Sequence, residues 1–232
     1  VATVQPAAHP EPTVSTGAVR RLTRRGIVWC ALAASMTLVG GLLMAMEGRP
    51  APRLDGLALT MPVDAVGPAG VESVLRTRAD LAPGRWDGIV IHASGDAFGS
   101  PASIAREHEQ HGLVGLGHHF VVGNGTGSSD GELHVGFRWL DQLPGAHTAG
   151  PDADTYNRRY IGICLIGDGD RRGFTDAQMR RLVELVATLQ RELDLPAENI
   201  RLHRDVAGVA SPGRLFPEAA FRRRLAEVGD LL

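Results

Sequence analysis

Cysteine is nearly missing from this chain: Cys30 and Cys164 are its only two, and no CxxC pair exists. That excludes a zinc module built on thiolates. Cys30 lies in an apolar run and Cys164 in a strand-like one, so both read as buried free thiols rather than as a disulfide. Aromatic residues make up only 5% of the sequence, too few for a surface on which nucleobases would stack. Charge of one sign is lacking too. With a formal net charge of −2 there is no electrostatic case for tracking a phosphate backbone, and no nucleic-acid partner is expected. No internal repeat is visible. What remains is a hydrophobic content of 44% and a charged content of 22% in 232 residues. Those are values of a globular protein with room for one well-packed domain and an appendage.

One stretch lacks charge altogether. Residues 26–46 read GIVWCALAASMTLVGGLLMAM, long enough as a helix to cross ~30 Å of hydrocarbon. Arg20, Arg21, Arg24 and Arg25 precede it, and Glu47, Arg49 and Arg53 follow. The heavier positive side stays in the cytoplasm, which puts the C-terminal part outside. A secretory signal peptide is the alternative, with an exported form after cleavage. However, a signal's apolar core usually spans ~7–15 residues before a small-residue cleavage site; this run is longer, and no convincing site follows. The expected organisation is a cytoplasmic disordered tail over 1–25, a transmembrane anchor over 26–46, a Pro- and Gly-rich spacer over 47–84 with one short helix near Val71–Arg78, and a folded domain over 85–232.

Within that domain, strand and helix signals alternate. Gly88–His92 (GIVIH), His118–Val122 and Tyr160–Ile166 (YIGICLI) read as short buried strands. Glu132–Trp139 alternates, with Leu133, Val135 and Phe137 on one face and His134, Gly136 and Arg138 on the other. Asn199–His203 resembles a last short strand. Ser100-Pro101 forms an N-cap and first-turn pair for a helix ending at Gly112. Thr175 and Gln178 form a capping box for a helix whose buried face carries Met179, Leu182, Val183, Val186, Leu189 and Leu193, and which ends before Pro196. Pro217 opens a closing helix to about Val228. The expected fold is α/β, with a central mixed β-sheet flanked by helices and one N-terminal transmembrane helix before it. The loop Gly123–Gly127 leads into a strand rather than a helix, so it reads as a hairpin connection and not as a phosphate cradle.

Of nine histidines, His92 and His203 each end a strand-like run, where ligand sites of open α/β sheets gather. Two imidazoles brought together there can hold a zinc ion through ring nitrogens. A serine hydrolase built on Ser211, His203 and Asp205 lacks the glycine-flanked elbow that would activate its serine.

The string GIVIHAS resembles the first strand of the zinc-dependent N-acetylmuramoyl-L-alanine amidase and peptidoglycan-recognition family. GLGHHFVV is similar to that family's GYHF segment, and GAHTAG, Asn157 and IGICLIG to its GAH…N…SIGI…G stretch. TDAQMRRLVELVATL resembles the helix that follows, and HRDV…SPGRLFP its closing metal segment. The likeness runs in order over about residues 86–217.

What the resemblance implies is a zinc ion that activates water and polarises the amide between the lactyl group of N-acetylmuramic acid and L-alanine. Carried over position by position, the ligands are His92, His203 and, at the third place, Ser211. A neutral serine hydroxyl is a poor substitute for the family's thiolate or carboxylate. The family's catalytic tyrosine falls on His118, which could donate from its ring or ligate the metal itself. The Lys or Thr two before the third ligand falls on Val209, which cannot donate. Ser94 fits the family pattern, Ala93 replaces a second histidine, and Cys164 stands where some relatives carry a glutamate. His147 and Asn157 match positions lining the groove for the peptide stem. His119 reads as structural, His108 as a packed helix residue, His134 as a solvated strand residue and His111 as solvent-facing. The expected function is peptidoglycan or muropeptide binding, with amidase activity weak or lost at Ser211. The alternative is an active zinc amidase.

Overall fold

The computed structural model describes residues 57–59 and 68–229; the stretch read as a membrane anchor, 26–46, lies outside them. In chain order the elements are β1 (Leu57–Leu59), α1 (Pro68–Val71) running into a 3-10 turn (Glu72–Leu75), β2 (Gly88–Ala93), α2 (Pro101–Gln110), β3 (Phe120–Val122), β4 (Leu133–Val135), α3 (Phe137–Leu140), α4 (Ala153–Arg159), β5 (Tyr160–Leu165), α5 (Asp176–Leu193), β6 (Ile200–Leu202), α6 (His203–Val206) and α7 (Glu218–Gly229). The strands form one mixed sheet in the order β1-β4-β3-β5-β2-β6. β1 and β4, and β4 and β3, run antiparallel; β3, β5, β2 and β6 are parallel. Among the described residues no helix is long and apolar enough to cross a membrane.

Alternation along the strands divides the interior. Ile89 and Ile91 of β2, Phe120 and Val122 of β3, and Ile161, Ile163 and Leu165 of β5 point to one face. There they pack on Met179, Leu182, Leu185, Val186 and Leu189 of α5 and on Phe221 of α7. Val121 and Cys164 point the other way, against Ile104 and Ala105 of α2 and Leu116. His92 pairs with Cys164, and Cys164 with Val121, so His92 lies on this second face.

Caps fix the two helices that frame the sheet. The Ser100 hydroxyl accepts from the Ser103 N–H at 3.1 Å and the Ser103 hydroxyl from the Ser100 N–H at 2.8 Å, with Pro101 in the first turn. Thr175 and Gln178 exchange bonds in the same way at 3.0 and 3.2 Å. Asp194 then ends α5 in the left-handed conformation at φ 53°.

Three local expectations are corrected. The alternation from Glu132 stops at Val135, because the Gly136 N–H closes on His119 O at 2.8 Å and helix α3 begins at Phe137. Phe137 therefore packs against the α2-side cluster, not beside Leu133 and Val135. His134 is buried rather than solvated, since it pairs with Val121 and shares that residue's covered face. His203 begins α6 rather than ending a strand. The stretch read as spacer contributes to the fold as well: Leu57–Leu59 pair with β4, and Val71 and Val74 are buried in the main core. Trp139 Nε1 donates to Val74 O at 2.6 Å, and Arg78 grips Asp141 through two bonds of 2.7 and 2.8 Å.

Candidate functional site

The second face of the sheet carries a recess lined with histidines. His92 comes from β2, His108 from α2, His118 from the approach to β3, His147 from the loop before α4, and His203 from the start of α6; Ser94, Val209 and Ser211 line it too. His92 is central: its ring centroid is 4.2 Å from that of His203 and 4.9 Å from those of His118 and His147. His118 lies 5.3 Å from His108. His92 and His147, 55 positions apart, thus meet in one recess with His203 and Ser211. Larger clefts exist, one between Leu81–Asp87 and Glu192–Asn199 and one between α5 and α7, but neither is lined by an imidazole, thiol or hydroxyl.

Burial sets the charge of these rings. Desolvation, the largest cause, holds His92 and His118 well below the ordinary histidine value, and the neighbouring imidazoles push the same way. His147 is lowered by burial to about 4, against a rise from its bond to Tyr160 O. Burial also lowers His203. The cluster is therefore neutral near pH 7, and each ring offers one N–H and one lone pair.

Which nitrogen is which follows from the partners. His147 Nε2 lies 3.1 Å from Tyr160 O, a group that only accepts, so Nε2 carries the proton and Nδ1 is bare. His92 Nε2 lies 3.1 Å from that bare Nδ1 and must donate to it, since two facing lone pairs would repel. Thr148 Oγ1 also reaches His147 Nδ1, at 3.0 Å. His92 is left with its lone pair on Nδ1. His118 Nδ1 and His203 Nε2 are buried with no hydrogen-bond partner among the described residues.

Close packing explains the glycines around His147. A Cβ on Gly145 or on Gly162 of β5 would overlap the His147 ring. Asn157 supports the same residue from behind: its Oδ1 accepts from the N–H groups of His147 (2.8 Å) and Thr148 (3.0 Å), and its Nδ2 donates to Thr148 O (2.8 Å). Asn157 is thus spent on the backbone and does not line the recess. His119 is a strap: its Nδ1 accepts from Gly162 N at 2.9 Å and its Nε2 donates to Leu143 O at 3.1 Å. Ser94 Oγ accepts from Gly167 N at 3.0 Å. The Cys164 thiol is buried and pushed up to about 12 by desolvation, so it is a packed thiol and not a thiolate.

Two wall residues were not read from sequence as part of the site: His108, taken for a packed helix residue, and Glu107. His108 Nδ1 accepts from Gly117 N at 2.8 Å, and Glu107 is an exposed carboxylate on the rim. The signal was available: Ile104, Glu107 and His108 lie three and four apart, on the helix face that meets the sheet.

The metal donors that the family resemblance implies fit in part. His92 and His203 present free nitrogens. Ser211 does not complete them, because its neutral hydroxyl oxygen already accepts from Ala93 N at 2.9 Å and clips the end of β2. Among the described residues, no group of three His, Cys, Asp or Glu side chains is placed to hold a metal ion.

The chain is similar to known proteins of one family. The sequence profile of the N-acetylmuramoyl-L-alanine amidases matches residues 82–214. The endolysin of Escherichia phage T7 is 30% identical over 135 residues, which cover 54% of this chain and 80% of that protein. The endolysin of Enterobacteria phage T3 is 34% identical over 115 residues, 47% of this chain and 66% of the phage protein's length. Among solved structures, the N-acetylmuramoyl-L-alanine amidase endolysin LysCS from Clostridium intestinale is similar at a TM-score of 0.52 and 26% identity, over 65% of this chain and 91% of that one.

Proposed function

Because the chain belongs to the N-acetylmuramoyl-L-alanine amidase family, we propose that its domain binds the peptide stem of peptidoglycan at the histidine recess and cleaves the glycan–peptide amide weakly or not at all. One observation carries the second half. Ser211, at the place of the family's anionic ligand, is a neutral hydroxyl already bonded to Ala93 N. Losing one of three ligands that share ~10–16 kcal/mol of zinc binding removes several kcal/mol. A donor to the developing oxyanion is missing as well. Val209, half-exposed at the recess, has no hydrogen to donate, and such a donor is worth ~2.7–4 kcal/mol where it has been removed elsewhere.

Binding needs less. Neutral imidazoles at His92, His118 and His203 offer donors and acceptors to the alternating N–H and C=O groups of a peptide. The rim residues Ser94 and Glu107 extend that polar wall. The domain's supply of this binding face outside the cytoplasm is part of the same proposal. It rests on the uncharged run 26–46 and the arginines before it.

The test uses the full 232-residue chain. Retention on insoluble peptidoglycan, without measurable release of stem peptide, is the expected result. Stoichiometric zinc together with rapid release of stem peptide would establish the active amidase instead. Failure to be retained would remove the binding reading.

A further inference from the structure

We infer that Arg138 is a positioning residue for the recess: its guanidinium ties together the two loops that carry His118 and His147, and so sets the gap between those rings. Arg138 does not line the recess and acts through the backbone. The inference goes beyond the binding reading given above and rests on it for one of its two readouts.

The two loops need such a tie. Residues 111–119 and 141–152 contain neither strand nor helix. Each exposes an apolar side chain, Val114 at 77% and Leu143 at 40%, so hydrophobic burial does not pin those stretches. After each histidine the chain is anchored. His119 bonds Gly162 N and Leu143 O, and Asn157 Oδ1 accepts from the N–H groups of His147 and Thr148.

Ahead of each histidine the shared tie is Arg138. Its Nε donates to Leu116 O at 2.8 Å, its Nη2 to Val114 O at 3.0 Å and its Nη1 to Pro144 O at 2.7 Å. Leu116 stands two positions before His118, and Pro144 three before His147. Between these points Ala146 N donates to Gly117 O at 2.9 Å, and a Cβ on Gly117 would overlap Ala146 O. The loops therefore pass in direct contact. That one bond is a pivot, and the bonds of Arg138 on either side of it stop rotation about it. The rings that follow lie 6.1 Å apart and nearly parallel, at 19°.

The chemistry asks for arginine. A planar fork presents donors in several directions at once, which an ammonium on a flexible stem does not. Bonds from a cation to carbonyl oxygens are stronger than neutral ones. Among the described residues no carboxylate pairs with this guanidinium, so its charge is directed at the three carbonyls. It also lies 5.1 Å from the centre of the Phe137 ring, a cation–π contact within its own helix. The turn at Gly136, whose N–H bonds His119 O, starts α3 and takes Arg138 off the alternation of β4. Trp139 anchors the same helix in the core through Val74 O.

The test uses the full chain and two readouts: affinity for insoluble peptidoglycan, and the ring-nitrogen resonances of the histidines. Arg138→Met should weaken retention ~10–100-fold, the scale on which a small misplacement of a site's groups acts. It should shift the His118 and His147 resonances and leave those of His134 in place. Arg138→Lys keeps the charge but not the fork, and should lose most of what the methionine variant loses. As a control, Arg222→Met breaks a guanidinium's bonds to Glu218 and Ile200 O on α7, which packs on the other face of the sheet; it should change retention by no more than about threefold. The proposal is overturned if Arg138→Met is retained as well as the unaltered chain, if lysine restores full retention so that charge alone counts, or if Arg222→Met loses as much. Should the methionine variant not fold, the lysine variant carries the test. Failure of both to fold also overturns it, because Arg138 would then hold up the domain rather than the recess. If the unaltered chain is not retained, the binding reading fails by itself, and the His118 and His147 resonances alone decide the case for Arg138.

Discussion

His92 donates its Nε2–H to His147 Nδ1 across 3.1 Å, and His147 passes the relationship on to Tyr160 O, also across 3.1 Å. Both rings line the recess, and the second also meets the backbone of β5. The tautomer of a residue at the centre of the site is thereby set by a strand carbonyl two hydrogen bonds away.

His147→Leu removes the acceptor and leaves the His92 N–H buried without a partner. Such a loss costs ~1–3 kcal/mol, and a drop of that size in urea stability is expected. Ring-nitrogen spectra should then show His92 as a mixture of tautomers. His147→Gln, whose amide oxygen can accept, should keep His92 protonated on Nε2. An unchanged tautomer in the leucine variant would show that something other than His147 fixes the ring.

Gly162→Ala should be destabilising by ~1–3 kcal/mol, because the new methyl meets the His147 ring in a packed interior. The position sits in the middle of β5, where alanine is otherwise a mild change. The cost should therefore shrink when His147 is also truncated to alanine, and a double-mutant cycle on thermal stability reads this coupling directly. Equal cost in both backgrounds would place the strain elsewhere.

Much of the architecture is legible in the sequence because it is written in local chemistry. The capping pairs Ser100-Pro101 and Thr175–Gln178 lie where side chain and backbone bond within one turn. The helix after Thr175 shows its buried face through a regular period. His92, His203 and position 211, singled out in the sequence, line one recess. Other features are not local. The alternation at Leu133, Val135 and Phe137 continues past the point where Gly136 turns to His119 O, and only the neighbouring strand decides that end. His134 looks like the polar side of a surface strand until the fold buries it beside Val121 of β3. Asn157, matched to a groove-lining position, is instead consumed by the backbone of His147 and Thr148, a matter of one loop's folded shape that spacing does not reveal.

Ser211→Ala isolates the structural use of that hydroxyl. It removes the acceptor for Ala93 N and is expected to cost ~1 kcal/mol, visible as a modest shift of the urea midpoint. Retention on peptidoglycan should be unaffected. A large loss of retention would mean that the serine touches the ligand rather than clipping the strand.

Acid should unfold the chain earlier than its carboxylates alone would. In the unfolded chain a histidine takes up its proton near 6.5, whereas His147 in the folded state does so only at about 4. The stability tied to this ring is thus fully present above pH 6.5 and is lost as pH falls toward 4, because the unfolded state binds the extra proton throughout that window. At ~1.4 kcal/mol per pH unit, His147 alone removes roughly 3 kcal/mol across it. His92, His118 and His119, all held well below the ordinary value chiefly by burial, pull the same way. Urea midpoints measured with a chelator from pH 8 to pH 5 should stay level to about pH 7 and then fall steeply, by more than one proton's slope. His147→Leu, though less stable at pH 8, should show a shallower fall. A flat profile between pH 7 and pH 5 would mean that these rings can charge without unfolding the domain, and so that water reaches them freely.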